Sequence, residues 1–163
     1  MKATANTVEF IQVETPSQIT DARVLFLEYA DSLGFSLCFQ SFDKELAGLP
    51  GEYAPPSGRL FLAMADGRLA GCVALHRIGE GADVCEMKRL YVRPAFRGHK
   101  IGQKVLDHLL AEARAIGYKT MRLDTVTGTM DAAIALYRAN GFREIAPYRA
   151  NPIPGALYME LAI

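Results

Sequence analysis

A cluster of positive charge lies between two stretches of the chain that have regular apolar patterns. Residues 93–104 include no acidic residue, and their basic residues are Arg93, Arg97, His99, Lys100 and Lys104. Amides at the start of a helix carry partial positive charge, so cations there disfavour the helix unless an anion binds. Gly98 and Gly102 would let the backbone bend around a phosphate or pyrophosphate. The segment indicates an anion site, with a solvated basic turn as the alternative.

The chain as a whole has no excess charge, because 18 Lys and Arg residues balance 18 Asp and Glu residues. We therefore expect no nucleic-acid partner and no general attraction to anionic membranes, so any anion binding must be local. The longest apolar runs are far shorter than the roughly 18 residues that span a bilayer, and the first residues, MKATAN, resemble no signal peptide. A cytoplasmic protein is expected.

Other chemistries find little support in the sequence. Neither GxxxxGK[ST] nor a GxGxxG that opens a helix after a first strand is present, which argues against nucleoside triphosphatases and nicotinamide dehydrogenases. GxSxG is absent as well, so a hydrolase triad is not supported. The histidines are not spaced as metal ligands, so no metal is expected. The cysteines lack CxxC spacing and are predicted to be reduced core thiols: Cys38, Cys72 and Cys85.

The elements that must position the basic segment can be predicted from periodicity. With 163 residues, the chain is expected to form one domain, 1–163, with a core from about residue 8. Thr15, Pro16 and Gln18 form a capping-box pattern, which predicts a helix that ends at Gly34. A strand at 8–13 should precede it, and a shorter helix at 40–47 should follow. The stretch 48–58, rich in glycine and proline, is predicted to be a loop.

The rest of the chain alternates between strand and helix patterns. Asp66 and Gly67 form a strong hairpin signal between strands predicted at 59–65 and 69–77. Further strands are expected at 83–92, 121–125, 142–145 and 156–161. Helices are expected from about residue 101 to Gly117 and at 130–139. The order β-α-α-β-β-β-α-β-α-β-β predicts an α/β (α+β) protein with helices packed on a mixed sheet.

Three segments together resemble the GNAT superfamily of N-acetyltransferases. They are EMKRLYV at 86–92, RGHKIG at 97–102 and AIALYRANGF at 133–142. The order of elements also matches that fold, so the resemblance covers essentially the whole chain. It implies a mostly antiparallel sheet of about six to seven strands flanked by about four helices, with splayed central strands.

The resemblance also implies a site for acetyl-CoA in the gap between the fourth and fifth strands. Arg97 and Gly102 match the ends of the family's phosphate-loop pattern, [Q/R]-x-x-G-x-[G/A], while Lys100 replaces its middle glycine and can offer its N–H from helical backbone angles. The pantetheine would pair with strand backbone, and Asp124 and Thr125 would lie near the acetyl group and the pantetheine arm. The implied cofactor-binding residues are Leu90, Tyr91, Val92, Arg97, Gly98, His99, Lys100, Ile101, Gly102, Gln103 and Thr125.

Catalytic roles follow from the same resemblance. Tyr137 is similar to the family's general acid, although a tyrosine beside Ala133 and Ile134 at helical spacing is ordinarily a core residue. Glu86 occupies the position of a glutamate base in some members, and apolar neighbours would raise its pKa. The alternatives for Glu86 are a solvent-facing strand residue or an anchor for the acceptor amine, with a water relay as base. A backbone N–H near Val92 would stabilise the developing oxyanion.

The implied activity is transfer of an acetyl group from acetyl-CoA to a primary amine of a small molecule or peptide, by direct attack in a ternary complex. A non-catalytic acyl-CoA binding or sensing domain and a purely structural domain are the alternatives. The loop 148–155 and the aromatic residues Tyr29, Phe35, Phe39 and Phe42 are candidates for the acceptor pocket, with core packing equally open for the aromatic residues. A homodimer is compatible with the family.

Overall fold

The computed structural model describes residues 7–37 and 41–163. Its helices are α1 Pro16–Leu33, α2 Phe42–Ala47, α3 Ile101–Ile116 and α4 Asp131–Ala139. Its strands are β1 Val8–Gln12, β2 Arg59–Ala65, β3 Arg68–Arg77, β4 Val84–Val92, β5 Thr120–Val126, β6 Arg143–Ile145 and β7 Ala156–Ala162. The predicted order of elements is confirmed. Cys38, Phe39 and the predicted helix start at Gln40 lie outside the described residues.

The strands form one sheet in the order β1-β2-β3-β4-β5-β7-β6. Neighbouring strands run antiparallel except for β4 and β5, which are parallel. Helices α1 and α2 pack on one face of this sheet, and α3 and α4 pack on the other, so each face has its own apolar core. The predicted fold class is confirmed. No helix within residues 7–37 and 41–163 is long and apolar enough to cross a membrane.

Local sequence signals account for several boundaries. The Thr15 hydroxyl accepts from the Gln18 amide, and the Gln18 side chain accepts from the Thr15 amide, which completes the predicted capping box of α1. Gly34, with φ of 75°, ends that helix in the left-handed region. Asp66 and Gly67 both have positive φ, as the predicted tight turn between β2 and β3 requires.

The two described cysteines, Cys72 and Cys85, are buried and form no disulfide. Burial raises the pKa of the Cys72 thiol and raises that of Cys85 to about 12, so both stay protonated. The prediction of inert core thiols is supported at these two positions.

Strand β4 contains a bulge opposite β3. Val73 of β3 faces two residues of β4, Arg89 and Leu90, because the register shifts between Cys72 and Ala74. Arg89 adopts a positive φ of 60° at this point. The strands β4 and β5 pair only before the bulge, at Val84–Thr120, Cys85–Met121 and Glu86–Arg122. Beyond Glu86 the two strands diverge and leave a gap in the middle of the sheet.

Candidate active site

A cavity of about 320 Å³ lies beside the part of β4 that no longer pairs with β5. It is bounded by the end of β4, the start of α3 and one side of α4. Most of the predicted cofactor-binding residues line it, namely Leu90, Tyr91, Val92, Arg97, Gly98, Lys100, Ile101 and Gly102. We call it the larger cavity. The structure thus brings the strand edge and the predicted phosphate loop to the same opening.

Three predicted residues lie outside the lining of the larger cavity. The Gln103 side chain exchanges hydrogen bonds of 2.8 and 2.9 Å with Asn140, so it joins α3 to the end of α4. His99 lies within the loop and is half-buried. Thr125 is buried on β5, where its hydroxyl donates to the Met130 sulfur at 3.4 Å, and it lines a second cavity instead.

The backbone of the basic loop is bent at two positions. Gly98 has φ of 88°, and Lys100, directly before α3, has φ of 60°. The helical angles expected for Lys100 are therefore wrong, because this position takes the left-handed conformation that glycine adopts most easily. The Lys100 side chain is exposed, and α3 begins without a side-chain cap or an acidic residue in its first turn. Its first amides remain suited to an anion.

Arg97 joins the loop to the end of β4. Its Nε donates to the Val92 carbonyl at 3.0 Å, and its guanidinium carbon lies 6.0 Å from the centre of the Tyr91 ring. The backbone amide of Arg93, the residue after Val92, donates to the Ala70 carbonyl of β3 at 2.7 Å. Backbone groups alternate in direction along an antiparallel strand, so the Val92 amide points to the opposite edge, toward the gap.

A second, smaller cavity of about 30 Å³ continues from the first. The two cavities share Tyr29, Leu33, Leu90 and Met130 in their linings. Charged and polar groups gather in the smaller one, namely Lys88, Arg89, Asp124, Asn151 and Tyr137. Tyr29 and Phe35 also line it, whereas the Phe42 ring centre lies 5.1 Å from the Arg89 guanidinium carbon.

Tyr137 enters the smaller cavity from α4 and is only 4% exposed. Burial raises the pKa of its phenol, and the nearby Tyr29 and Asp124 raise it further. The hydroxyl therefore keeps its proton at physiological pH. A protonated phenol at this position can act as a proton donor.

Glu86 is fully buried, which rules out the solvent-facing alternative. The Tyr148 hydroxyl donates to Glu86 Oε2 at 2.6 Å, the Arg149 guanidinium donates to the same oxygen, and His76 Nε2 lies 2.9 Å from Oε1. Burial by itself would raise the pKa of Glu86, but His76, Lys88, Arg149 and Tyr148 outweigh it and hold the pKa at about 2. The expected raised pKa is wrong because His76, Tyr148 and Arg149 reach Glu86 from other segments and Lys88 adds its charge from the same strand.

Sequence reasoning missed the ion pair that holds the bulge. Arg89 Nε and Nη2 donate to the Glu45 carboxylate of α2 at 2.9 and 3.0 Å. It gave no role to Lys88, and it included Asn151 only as part of the loop 148–155 expected at the acceptor pocket, although both residues line the smaller cavity. Burial lowers the pKa of Lys88, and neighbouring Arg89 lowers it further. No local sequence pattern marks Lys88, Arg89 or Asn151, because they meet only in the folded chain.

The part of the chain that the structure describes contains no evident metal-binding site. No group of three or more His, Cys, Asp or Glu side chains in residues 7–37 and 41–163 is arranged to hold a metal ion.

Comparison with known proteins identifies the family. Residues 24–142 match the model of the Acetyltransferase (GNAT) family, and the chain belongs to that family. An uncharacterised N-acetyltransferase of Schizosaccharomyces pombe is 41% identical over 150 residues, which cover 91% of each chain.

Solved structures show the same fold. The structure of an acetyltransferase from Streptococcus agalactiae superposes with a TM-score of 0.78 at 18% identity, covering 97% of this chain and 99% of that one. The PaiA N-acetyltransferase of Thermoplasma acidophilum, solved in complex with coenzyme A, gives a TM-score of 0.70 at 20% identity, with 96% and 99% coverage.

Proposed function

We propose that the protein transfers an acetyl group from acetyl-CoA to a primary amine of a small molecule or peptide. The observation that carries the proposal is the gap between β4 and β5, whose cavity runs from the start of α3 toward Tyr137. The coenzyme A complex of the Thermoplasma relative supports the choice of cosubstrate.

The residues around the larger cavity fit acetyl-CoA. The uncapped start of α3 and the bent backbone at Gly98 and Lys100 suit a pyrophosphate, and local positive charge adds to the attraction. The Val92 amide, which faces the gap, suits a polar group that pairs with strand backbone. Leu90, Val92, Thr125 and the amides of residues 97–103 are the proposed contacts.

Acetyl-CoA supplies a thioester that an amine can attack. Val92 N–H is the proposed donor to the thioester oxygen, because an amide fixed in a strand needs no reorganisation to stabilise negative charge. Tyr137 gives its hydroxyl proton to the departing sulfur. The ammonium form of the acceptor first loses one proton to water, and the nitrogen loses a second proton after attack. The second proton restores the Tyr137 hydroxyl. The first proton is released, so the reaction releases one proton overall.

Glu86 is a poor candidate for the base. A carboxylate with a pKa of about 2 holds a proton too weakly to take one from an amine efficiently. Tyr148 and Arg149 already occupy one of its oxygens, and His76 lies against the other. A water relay therefore takes the acceptor's proton in this proposal.

The test is release of free thiol from acetyl-CoA in the presence of a panel of primary alkylamines, amino acids and short peptides. We expect amine-dependent thiol release with at least one class, together with an acetylated product seen by mass spectrometry. The absence of release with every amine would overturn the proposal. In that case a rise in melting temperature with acetyl-CoA would indicate a sensing domain, and an unchanged melting temperature would indicate a structural domain.

A further inference from the structure

The loop 148–155 is fastened over the sheet by the buried carboxylate of Glu86. Both Tyr148 and Arg149 donate to Glu86 Oε2. The Tyr158 hydroxyl of β7 adds a bond of 2.6 Å to the Arg149 carbonyl. Separating a buried carboxylate from its hydrogen-bond partners costs free energy. These contacts therefore hold the loop in one position.

The same loop carries Asn151 into the smaller cavity. Its Oδ1 accepts from the Ile153 amide at 3.0 Å, which fixes the orientation of the side-chain amide. Its Nδ2 then donates to Asp124 Oδ2 at 3.1 Å. Both Asp124 and Asn151 line the cavity that Tyr137 enters. Glu86 and Asp124 are thus connected through one short loop.

Asp124 is the one acidic residue among the described residues that line the smaller cavity. The Arg89 guanidinium in the same lining is already paired with Glu45, whereas Lys88, whose Nζ lies 4.0 Å from Glu86, also interacts electrostatically with Asp124. A carboxylate accepts several hydrogen bonds, so Asn151 leaves Asp124 with capacity for a cationic donor. The cavity volume of about 30 Å³ is enough to hold a water-sized group, and an ammonium group has a similar size.

From this geometry we infer that Asp124 is the subsite for the ammonium group of the acceptor, and that Glu86 is a positioning residue that acts through the loop and Asn151. The inference rests on the proposed function, because it assigns the amine side of that reaction. It places the acceptor's charged head next to Tyr137, where the amine must be when it reacts. Acceptors that enter as primary ammonium ions are the substrate class that this subsite fits.

The first experiment compares Asp124→Asn with the parent at saturating acetyl-CoA, using the amine of the panel that turns over fastest. We expect KM for that amine to rise roughly 10- to 100-fold, because a charge-assisted bond is lost, while the Kd of acetyl-CoA stays within about twofold. Glu160→Gln is the matched control, since Glu160 lies on the neighbouring strand beside Arg122 and outside both cavities. Its KM should equal that of the parent.

The second experiment tests the positioning role with Tyr148→Phe, which removes one donor to Glu86 and keeps the ring. We expect KM for the amine to rise about threefold to tenfold, and the double variant with Asp124→Asn to be no worse than Asp124→Asn alone. Additive effects would show that the loop does not act through Asp124 and would overturn the positioning role. An unchanged KM in Asp124→Asn, with an active parent, would overturn the subsite while leaving the proposed function intact.

Discussion

Tyr29 and Tyr137 pack in the cores on opposite faces of the sheet, yet both line the smaller cavity. Tyr29 comes from α1 and Tyr137 from α4, and they approach closely enough for Tyr29 to raise the pKa of Tyr137. A continuous sheet would separate them. The relationship exists because β4 and β5 stop pairing after Glu86.

Tyr137→Phe should lower turnover by about one to two orders of magnitude, because the departing sulfur loses its proton donor. The affinity for acetyl-CoA should change little, since the ring and its packing remain. Steady-state kinetics and calorimetric titration of acetyl-CoA would measure the two effects separately. Tyr118→Phe is the control, because the Tyr118 hydroxyl donates to Ser57 away from both cavities. Turnover equal to the parent's in Tyr137→Phe would remove the general-acid role.

Arg97→Ala should weaken acetyl-CoA binding by about tenfold, since it removes a positive charge and a hydrogen bond worth about 1 kcal/mol that joins the loop to Val92. Calorimetric titration at low and high salt would show the loss, with the larger difference at low salt. Arg143→Ala, an exposed change on β6, is the control for charge alone. Equal affinity in both variants would argue against a role of Arg97 at the site.

Lys100→Gly should stabilise the protein by about 1 kcal/mol, because glycine takes the left-handed conformation at this position without strain. Acetyl-CoA affinity and its salt dependence should stay within about twofold, since the exposed ammonium is not required for the backbone amide to bind. Thermal unfolding and titration would test both parts. A tenfold loss of affinity would instead show that the Lys100 ammonium contacts the cosubstrate's phosphates.

Glu86 should make the fold sensitive to acid without setting the pH dependence of catalysis. Its pKa is lowered from 4.5 to about 2, so its contribution to stability is complete above about 4.5 and is lost as pH falls toward 2. Glu86→Gln should therefore be less stable than the parent at neutral pH, with a difference that shrinks on acidification. Denaturant unfolding at several pH values measures this.

The pH profile of kcat/KM tests whether Glu86 also sets the pH dependence of catalysis. Between pH 5 and 9 Glu86 does not titrate, so the acidic limb of the profile should keep its midpoint in Glu86→Gln even where the rate is lower. A midpoint displaced by half a unit or more would restore Glu86 as a base.

Much of the fold could be predicted because its signals are local. The capping box at Thr15, the turn at Asp66 and Gly67, and the helix end at Gly117 depend on neighbouring residues only, and each is present. The loop and the strand before it were predicted as parts of one site, and most of those residues line one cavity.

The chemistry of individual groups could not be predicted because it depends on distant partners. Glu86 lies in a strand with apolar neighbours, which suggested a raised pKa, but Tyr148 and Arg149 reach it from a loop more than 60 residues away. Arg89 in β4 has no local feature that marks a bulge, and its partner Glu45 lies on α2, more than 40 residues earlier in the chain. The smaller cavity is formed by these long-range contacts.

Hydrogen exchange of the backbone amides, with and without saturating acetyl-CoA, would show whether the cosubstrate binds in the gap between β4 and β5. Acetyl-CoA should slow exchange in peptides that cover residues 90–92 and 97–103, with little change in β1 and β6. Unchanged exchange at both segments, or protection confined to other parts of the chain, would contradict the placement of the cosubstrate in the gap between β4 and β5.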